Sequence, residues 1–362
     1  MAAGQTALSL SDAQRQQRVA ELAQWVTDQL AQASSASLAN YNLPITPDNW
    51  LPLGGDAGFR RYFRIEGSTN LLAVWAPPST EKNQAFVAIA EFLRNRGIPA
   101  PQVLAFELER GFLLVEDFGE QVYLDQLNAD SADSLYGQAL ICLLRIQQCE
   151  ADRVIFEPYD AEVLQREMAL FHEWFVPQLL GHELSGEELQ MLQRSFSILT
   201  ESALEQPQVI VHRDFHSRNL VYREHACPGI IDFQDALLGP ITYDLVSLLK
   251  DCYIQWPAPK VRAWALAYGG MAVEAGIMAP TAEATFLRWF ELMGLQRHIK
   301  VLGIFARLYL RDGKQAYLKD LPLVVDYTRI CARSYPQLAE FSQWFEQTLM
   351  PIISTQSWMR ER

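Results

Sequence analysis

The segment that constrains this chain most is residues 209–235, which read VIVHRDFHSRNLVYREHACPGIIDFQD. Within it, Asp214 is followed five residues later by Asn219 and then, after a short hairpin pattern, by Asp232. The flanking apolar runs predict short buried strands, so the three polar groups fall at strand ends and on a loop, facing one cleft. Phosphoryl transfer from ATP uses such a set, because one carboxylate accepts the proton of the attacking hydroxyl while an amide oxygen and a second carboxylate hold Mg²⁺. Three unrelated buried or capping residues are the alternative, but order, spacing and strand context together favour a kinase site.

The composition limits the class of protein. The 362 residues suffice for two lobes, and 49% apolar with 20% charged residues is typical of a globular protein with a sizeable core. A formal net charge of −13 argues against a nucleic-acid partner, which requires a basic surface. The five cysteines lack metal-binding spacing and indicate reduced thiols. With no signal-peptide pattern and no apolar run long enough to span a membrane, we expect a cytoplasmic protein without a membrane partner.

The secondary-structure signals divide the chain near residue 119. Strand-like segments between residues 50 and 119 enclose one helical pattern, and helices dominate from residue 121 onward, one of them across Leu124–Gln147. We therefore expect residues 1–119 to form an N-terminal helix and a small ATP-binding lobe. Residues 120–362 are expected to form a larger helical lobe with the catalytic loop, the metal-binding loop and the sugar site.

Three long strings carry a resemblance to known proteins: RDFHSRNL, IDFQDALLGPITYDLVSLLKDCYIQWP and LQRHIKVLGIFARLYLRDGKQAYL. The chain resembles the aminoglycoside phosphotransferase and choline kinase superfamily over roughly residues 51–249. Within it, the strings are similar to the bacterial N-acetylmuramate/N-acetylglucosamine anomeric kinases. The resemblance implies an α+β, bilobal protein-kinase-like fold, with a small antiparallel-sheet lobe containing one helix and a larger, mostly helical lobe. It also implies transfer of phosphate from ATP, with Mg²⁺, to the anomeric hydroxyl of an amino sugar in peptidoglycan recycling.

The resemblance assigns roles to individual residues of the central segment. Asp214 would be the catalytic base, and Asn219 and Asp232 the Mg²⁺ ligands. His212 would brace the catalytic loop, and Asp244 would hydrogen-bond to that loop from the next helix.

The resemblance also places the nucleotide. Gly54–Phe59, with Gly54, Gly55 and Phe59, would cover the phosphates, and the backbone around Glu116 would meet adenine. One departure stands out, because Trp75 occupies the position of the family's phosphate-binding lysine. Either Mg²⁺ alone carries the charge or one of four nearby cations replaces the lysine: Arg60, Arg61, Arg64 or Lys82. The helix acid that would orient the lysine is then in question; Glu91 is the candidate, with a plain exposed charge as the alternative.

Other polar positions have open assignments. Arg218 could reach the γ-phosphate or the sugar, or pair with a neighbouring carboxylate. His216 is either a loop side chain or a substrate contact, and Asp235 either binds sugar hydroxyls or caps a turn. Helical spacing places five basic residues on one face: Arg297, Lys300, Arg307, Arg311 and Lys314. Such a face is typically a solvated or ion-paired surface; the alternative is that part of it attracts the lactyl carboxylate of N-acetylmuramate.

Two other functions compete with a sugar kinase. An antibiotic-modifying kinase of the same fold would need an acidic cleft, which the net charge permits, but the C-terminal strings do not resemble that branch. A catalytically inactive binding protein is suggested by the missing lysine. The intact Asp214, Asn219 and Asp232 argue against inactivity.

Overall fold

The computed structural model describes residues 12–32, 50–54, 58–65 and 70–360. Of the residues singled out above, Gly55 lies outside these ranges. The chain forms two compact units. The first consists of Met1–Gln121 and Val221–Asp235, and the second of Val122–Leu220 and Ala236–Arg362. The first unit therefore takes in a segment, containing Asp232, that lies about a hundred residues further along the chain.

The N-terminal part of the first unit is a five-stranded antiparallel sheet with two helices. Its elements are α1 (Asp12–Gln32), β1 (Trp50–Leu53), β2 (Arg61–Ile65), β3 (Leu71–Trp75), α2 (Asn83–Arg94), β4 (Val103–Glu107) and β5 (Phe112–Glu116). The strand order is β1-β2-β3-β5-β4. This sheet and its helices agree with the strand and helix patterns predicted between residues 50 and 119.

Helix α1 covers one face of this sheet. Side chains alternate along a strand, so the residues that pack with Trp25 of α1 come from every second position of β2 and β3. Ile65 and Trp75 belong to this apolar cluster, and Phe63 packs against it. Tyr62, which pairs with Val74, lies on the opposite face. Trp75, at the position expected for a lysine, is therefore part of the packing against α1.

The second unit is mostly helical. Along the chain the remaining elements are α3 (Tyr123–Gln126), α4 (Ala132–Gln147), α5 (Ala161–Leu170), α6 (Gly186–Leu204), β6 (Gln208–Val211), β7 (Leu220–Val221), β8 (Gly229–Ile230), β9 (Leu237–Pro240), α7 (Tyr243–Leu249), α8 (Ala258–Glu274), α9 (Glu283–Asp312), α10 (Leu321–Ser334), α11 (Ala339–Trp344), α12 (Met350–Ile353) and α13 (Ser357–Arg360). Strands β6 and β9 pair, as do β7 and β8. The short strands predicted around the central segment are thus confirmed.

The helices of the second unit differ from the sequence-based expectation at several points. The helix predicted across Leu124–Gln147 is interrupted between α3 and α4, where the side chain of Asn128 accepts hydrogen bonds from the amides of Asp130 and Ser131 and so replaces helical bonding. Helix α5 continues as a π-helical segment, Phe171–Leu179. Helix α6 was not anticipated.

Helix α9 is the central element of the second unit. It spans 30 residues, most of them buried from Phe286 to Leu308, and ends at Gly313, whose φ of 68° provides the left-handed cap that glycine favours. A helix that is apolar around most of its circumference is expected to lie inside a domain. At Gly303, α9 comes so close to α5 that an added Cβ would lie 2.4 Å from the carbonyl carbon of Leu170. Within the described ranges, none of the helices is long and apolar enough to cross a membrane.

Candidate active site

The loop after β6 is fastened by a buried carboxylate. Asp244, in the first turn of α7, is fully buried and accepts hydrogen bonds from the backbone amides of His212 (2.6 Å) and Arg213 (2.9 Å). Burial raises the pKa of Asp244 to about 7, although the two amides and Arg297 favour its charged form. The imidazole Nδ1 of His212 accepts a hydrogen bond from the amide of Asp214 at 3.2 Å. The side chains of His212 and Asp244 thus both accept hydrogen bonds from the backbone of this loop.

Arg213 has an uncommon backbone conformation. Its φ is 78°, in the left-handed region that a residue with a long side chain rarely adopts. Three contacts hold it there: its amide donates to Asp244, its carbonyl accepts from Nη1 of Arg297 at 3.0 Å, and its guanidinium pairs with Glu167. Strain of this kind persists where surrounding structure fixes it, and functional loops are common places for it.

Asp214 follows this strained residue and is partly open to solvent, with 43% of its side chain exposed. Burial of the carboxyl group opposes ionisation, but the positive charges of Lys300 and Arg297 outweigh it and lower the pKa of Asp214 to about 2. The nearest guanidinium nitrogen of Arg297 lies 4.0 Å from Oδ1 of Asp214. Asp214 is therefore ionised at neutral pH and can accept a hydrogen bond from a substrate hydroxyl.

The cations beside Asp214 belong to a buried network that sequence reasoning missed. Nζ of Lys300 lies 3.0 Å from the carboxylate of Glu167 and donates to the hydroxyl of Tyr243 at 2.9 Å. Glu167 also pairs with Arg213 and accepts from the hydroxyl of Tyr159. Burial would raise the pKa of Glu167, but Lys300 and Arg213 prevail and lower it.

This network contradicts part of the prediction that five basic residues form one exposed helical face. Arg297 and Lys300 of α9 are buried, with 4% and 6% of their surfaces exposed, so the expectation of a solvated surface is wrong for these two. Lys314 lies beyond the end of the helix at Asp312 and shares no helical face with the others. Arg297 donates to the carbonyl of Arg213 in the loop, whereas Lys300 finds its partners in Glu167 of α5 and Tyr243 of α7.

A second buried aspartate fastens the end of the loop. Asp251, which is 2% exposed, accepts from the backbone amide of Ser217 at 3.0 Å and from its hydroxyl. Asn219 follows, and its Nδ2 donates to the carbonyl of Asp214 at 3.0 Å. Because the amide nitrogen of Asn219 makes this hydrogen bond within the loop, its amide oxygen is the atom that can act as a ligand to a cation.

Arg218 and His216 both lie against Tyr253. The guanidinium carbon of Arg218 is 3.6 Å from the centroid of the Tyr253 ring, and the His216 ring meets the same ring edge-on at 5.4 Å. Nearby, burial raises the pKa of Asp320 to about 6, and the charge of Arg218 opposes this shift. Stacking on an aromatic ring orients a guanidinium while leaving its N–H groups to bind an anion.

The predicted metal ligand Asp232 is held within the first unit. It is exposed and has a φ of 64°, the left-handed region again. Its Oδ1 accepts from Nε2 of Gln234 at 2.7 Å, and Oε1 of Gln234 accepts from Nη1 of Arg60 at 2.7 Å. Asp235, three residues after Asp232, is ion-paired with Lys82 at 2.7 Å.

The loop expected over the phosphates is described only at its two ends. Gly54 is exposed at the first end, and Phe59 at the other end donates its amide to Oε1 of Glu81 at 2.9 Å. Glu91, the candidate helix acid, is exposed on α2. In the hinge, the amide of Glu116 donates to the carbonyl of Gln102 at 2.9 Å, and its carboxylate pairs with Arg94 at 2.9 Å.

The donor set fits magnesium. Carboxylate and amide oxygens, the groups that Asp232 and Asn219 offer, are the hard donors that Mg²⁺ prefers, and Mg²⁺ commonly takes one or two protein ligands and completes its shell with phosphates and water. In the part of the chain that the structure describes, no three His, Cys, Asp or Glu side chains are grouped to hold a metal by themselves. A cation bound by these residues would thus depend on substrate oxygens.

Residues 49–279 match the family model described as the phosphotransferase enzyme family. The chain is similar to a Pseudomonas aeruginosa protein named N-acetylmuramate/N-acetylglucosamine kinase, with 45% identity over 83% of this chain and 88% of the relative. A Neisseria meningitidis protein of the same name is 40% identical over 78% of this chain and 86% of the relative.

Solved structures with the same fold are more distant in sequence. A gentamicin complex of an aminoglycoside phosphotransferase superposes with a TM-score of 0.57 at 16% identity, covering 84% of this chain and 95% of the other. An ethanolamine kinase from Plasmodium vivax gives 0.57 at 13% identity, covering 81% and 85%. At such identities the likeness shows the fold alone, and it confirms the predicted α+β, protein-kinase-like class.

Proposed function

Because the chain belongs to the phosphotransferase enzyme family, we propose that it transfers the γ-phosphoryl group of ATP to the anomeric hydroxyl of N-acetylmuramate and N-acetylglucosamine. The chain is a kinase, as its relatives and its family indicate. The choice of sugar is supported by relatives of 40% and 45% identity that span most of the chain and carry the names of these two substrates.

The observation that carries the mechanism is the ionised Asp214. A sugar hydroxyl is a weak nucleophile, and its proton must leave as the new P–O bond forms. Asp214, with a pKa lowered to about 2, accepts the hydrogen bond of that hydroxyl and takes its proton as the bond forms. The demand on the carboxylate is modest because an anomeric hydroxyl is more acidic than an ordinary alcohol.

Transfer is direct, without a phosphorylated enzyme intermediate. His212, one of the two histidines in this loop, is 3% exposed and its Nδ1 is engaged by the amide of Asp214. It is therefore unsuited to attack a phosphate, and the sugar hydroxyl remains the nucleophile.

We assign Asn219 and Asp232 as the protein ligands of Mg²⁺. When bound, the cation neutralises charge on the phosphate oxygens. The chain's own contribution is to fix the two donors: Asp214 holds the amide of Asn219, and Gln234 holds the carboxylate of Asp232.

Arg218 is assigned to the lactyl carboxylate of N-acetylmuramate. Arg297 and Lys300, whose charges lower the pKa of Asp214, donate to Arg213, Tyr243 and Glu167. Arg218 instead lies over the ring of Tyr253, a contact that leaves its N–H groups able to bind a planar anion. N-acetylglucosamine has no such carboxylate and would not form an ion pair with this guanidinium.

The reaction is assigned to the cytoplasm and to the recycling of peptidoglycan sugars. ATP is available there, and the five cysteines, all free thiols, suit a reducing compartment. Small-molecule substrates are the partners that this assignment requires.

Blocking the anomeric position tests the assignment. The free sugars should be phosphorylated, whereas methyl glycosides of the same sugars should bind and not react. Phosphorus NMR should show an acid-labile anomeric phosphate. A stable 6-phosphate, or equal rates with the methyl glycoside, would overturn the anomeric assignment. Turnover of an aminoglycoside but of neither free sugar would favour the antibiotic-modifying alternative.

A further inference from the structure

The position of Trp75 shows why the missing lysine cannot act from β3. Its ring packs in the apolar cluster formed with α1, and 8% of its surface is exposed. A cation placed there would be buried among apolar side chains on the face that α1 covers. A side-chain cation that replaces the lysine would therefore have to lie at another position.

The cations around the start of β2 differ in their surroundings. Arg61 is exposed, Arg64 is paired with Asp117 at 2.5 Å, and Lys82 is 64% exposed and paired with Asp235. Arg60 is the buried member of the set, with 6% of its surface exposed.

The guanidinium of Arg60 is linked to the segment that carries Asp232. Its Nη1 donates to Gln234 at 2.7 Å, and Gln234 in turn donates to Asp232 at 2.7 Å. The guanidinium also lies 4.8 Å from the centroid of the Phe86 ring, which stacks on Phe233. Arg60 is therefore linked to the proposed magnesium ligand through one side chain, that of Gln234.

One nitrogen of this guanidinium lacks an acceptor. Nη2 of Arg60 is buried and makes no hydrogen bond within the described residues. Buried N–H groups without acceptors are rare in folded proteins, and a charged one is especially unfavourable. A phosphate oxygen would satisfy it, because guanidinium groups bind phosphate through parallel N–H bonds.

Glu81 orients this cation. Its Oε2 lies 3.2 Å from Nε of Arg60, and its Oε1 accepts from the amide of Phe59 at 2.9 Å. One carboxylate just before α2 thus holds both the end of the phosphate-covering loop and the guanidinium. Glu91, ten residues further on, is exposed and takes no part in this arrangement.

We propose that Arg60 binds the phosphates of ATP in place of the absent lysine, with Glu81 as its positioning residue. The proposal rests on the proposed function, since it requires ATP as the phosphate donor. The phosphate-binding cation would then be Arg60, just before β2, instead of a lysine in β3. The acid that orients it would be Glu81, just before the N-cap of α2, instead of Glu91 within α2.

Nucleotide binding by the full-length protein tests the proposal. Dissociation constants of Mg²⁺·ATP and of adenosine are measured by calorimetry for Arg60→Gln, Arg60→Lys and Glu81→Gln. The matched control is Arg61→Gln, which removes the same charge from an exposed neighbour. Arg60→Gln should weaken Mg²⁺·ATP by roughly 10- to 100-fold, the usual effect of losing hydrogen bonds to a charged group, and leave adenosine unchanged. The control should match the wild type for both ligands.

Glu81→Gln should weaken Mg²⁺·ATP less than Arg60→Gln does, and it should add nothing in the Arg60→Gln background, because it acts through the guanidinium. Equal losses for ATP and adenosine, or unchanged ATP binding, would overturn the proposal. If Arg60→Gln does not fold, the Arg60→Lys variant is used for the same comparison. A purely structural role of Arg60 predicts that the dissociation constants of Mg²⁺·ATP and adenosine change in parallel. Absence of sugar turnover by the wild type would refute the proposed function without altering this comparison.

Discussion

Nη1 of Arg297, on α9, donates a hydrogen bond of 3.0 Å to the main-chain carbonyl of Arg213. The same guanidinium lies 4.0 Å from the carboxylate of Asp214. This one buried side chain therefore contributes to the left-handed backbone of the loop and, together with Lys300, to the lowered pKa of its aspartate. A residue from a distant part of the chain thus affects both the geometry and the charge of the loop.

Replacing Arg297 should separate these two effects. Arg297→Gln removes a charge that lowers the pKa of Asp214, so this pKa should rise and activity should be lost at a higher pH on the acidic side of the profile. Arg297→Lys keeps a charge and should shift that limb less. Both variants leave the Arg213 carbonyl without its donor and should lose about 1–3 kcal/mol of stability. The pH dependence of kcat/KM and chemical denaturation measure the two effects; an unmoved acidic limb in Arg297→Gln would contradict the electrostatic role.

Asp214→Asn should lower turnover by about 10²–10⁴ while preserving Mg²⁺·ATP affinity, because it removes the base and retains the shape. In the wild type, the lowered pKa means that Asp214 stays charged as the pH falls, until about pH 2. Its contribution to folding stability is accordingly present above its unfolded pKa, about 4, and lost as the pH falls towards 2. Steady-state kinetics with calorimetric nucleotide binding tests the variant, and near-normal turnover would place the base elsewhere.

The two proposed metal ligands should respond unequally. Asp232→Ala removes a charged donor and should abolish activity even at high Mg²⁺, whereas Asn219→Ala removes a neutral donor and should be milder. Titrating the rate with Mg²⁺ distinguishes the two. Unchanged rate and Mg²⁺·ATP affinity in both variants would show that the metal is held by other residues.

Arg218→Gln should change the preference between the two sugars. We expect kcat/KM for N-acetylmuramate to fall by roughly 10- to 100-fold and that for N-acetylglucosamine to stay near the wild-type value, since only the first carries a carboxylate. Arg194→Gln, in which an arginine that is 59% exposed on α6 is replaced, serves as the control. Equal losses for both sugars would instead assign Arg218 to the γ-phosphate.

Gly303→Ala should destabilise the second unit. The new Cβ would lie 2.4 Å from the backbone of Leu170, and overpacking of this kind costs typically about 1–3 kcal/mol. Gly270 offers a matched control in α8, because among the described residues no atom lies within 4 Å of an added Cβ. Gly270→Ala should be neutral or stabilising by up to about 1 kcal/mol. Urea denaturation of the two variants measures the difference; equal stability would mean that α5 and α9 can separate at little cost.

The catalytic loop was predictable because its chemistry is local in sequence. Asp214 and Asn219 are separated by four residues, and apolar runs that form β6 and β7 flank them. The supports of the loop were not predictable in the same way. Glu167, Asp251 and Arg297 come from segments far apart in the chain, and only packing brings them to it.

Two structural features that we did not predict have recognisable signals in the sequence. Apolar residues lie on both sides of Arg297 and Lys300, which is typical of a helix buried all round rather than of a solvated basic face. Helix α6 begins with a capping box, in which Ser185 and Glu188 exchange side chain-to-backbone hydrogen bonds. The choice of Glu81 over Glu91, by contrast, depends on the location of Arg60 in three dimensions, which the sequence alone does not give.

The amides of His212 and Arg213 are bonded to the side chain of Asp244 rather than to a neighbouring strand, and every residue of α7 around that aspartate is buried. Their hydrogens can exchange with deuterium only when α7 itself opens. Exchange at these two sites should therefore follow sub-global unfolding and take far longer than the nanosecond-to-microsecond motions of ordinary loops. The segment to which we assign the chemistry would then be among the slowest of the second unit to exchange.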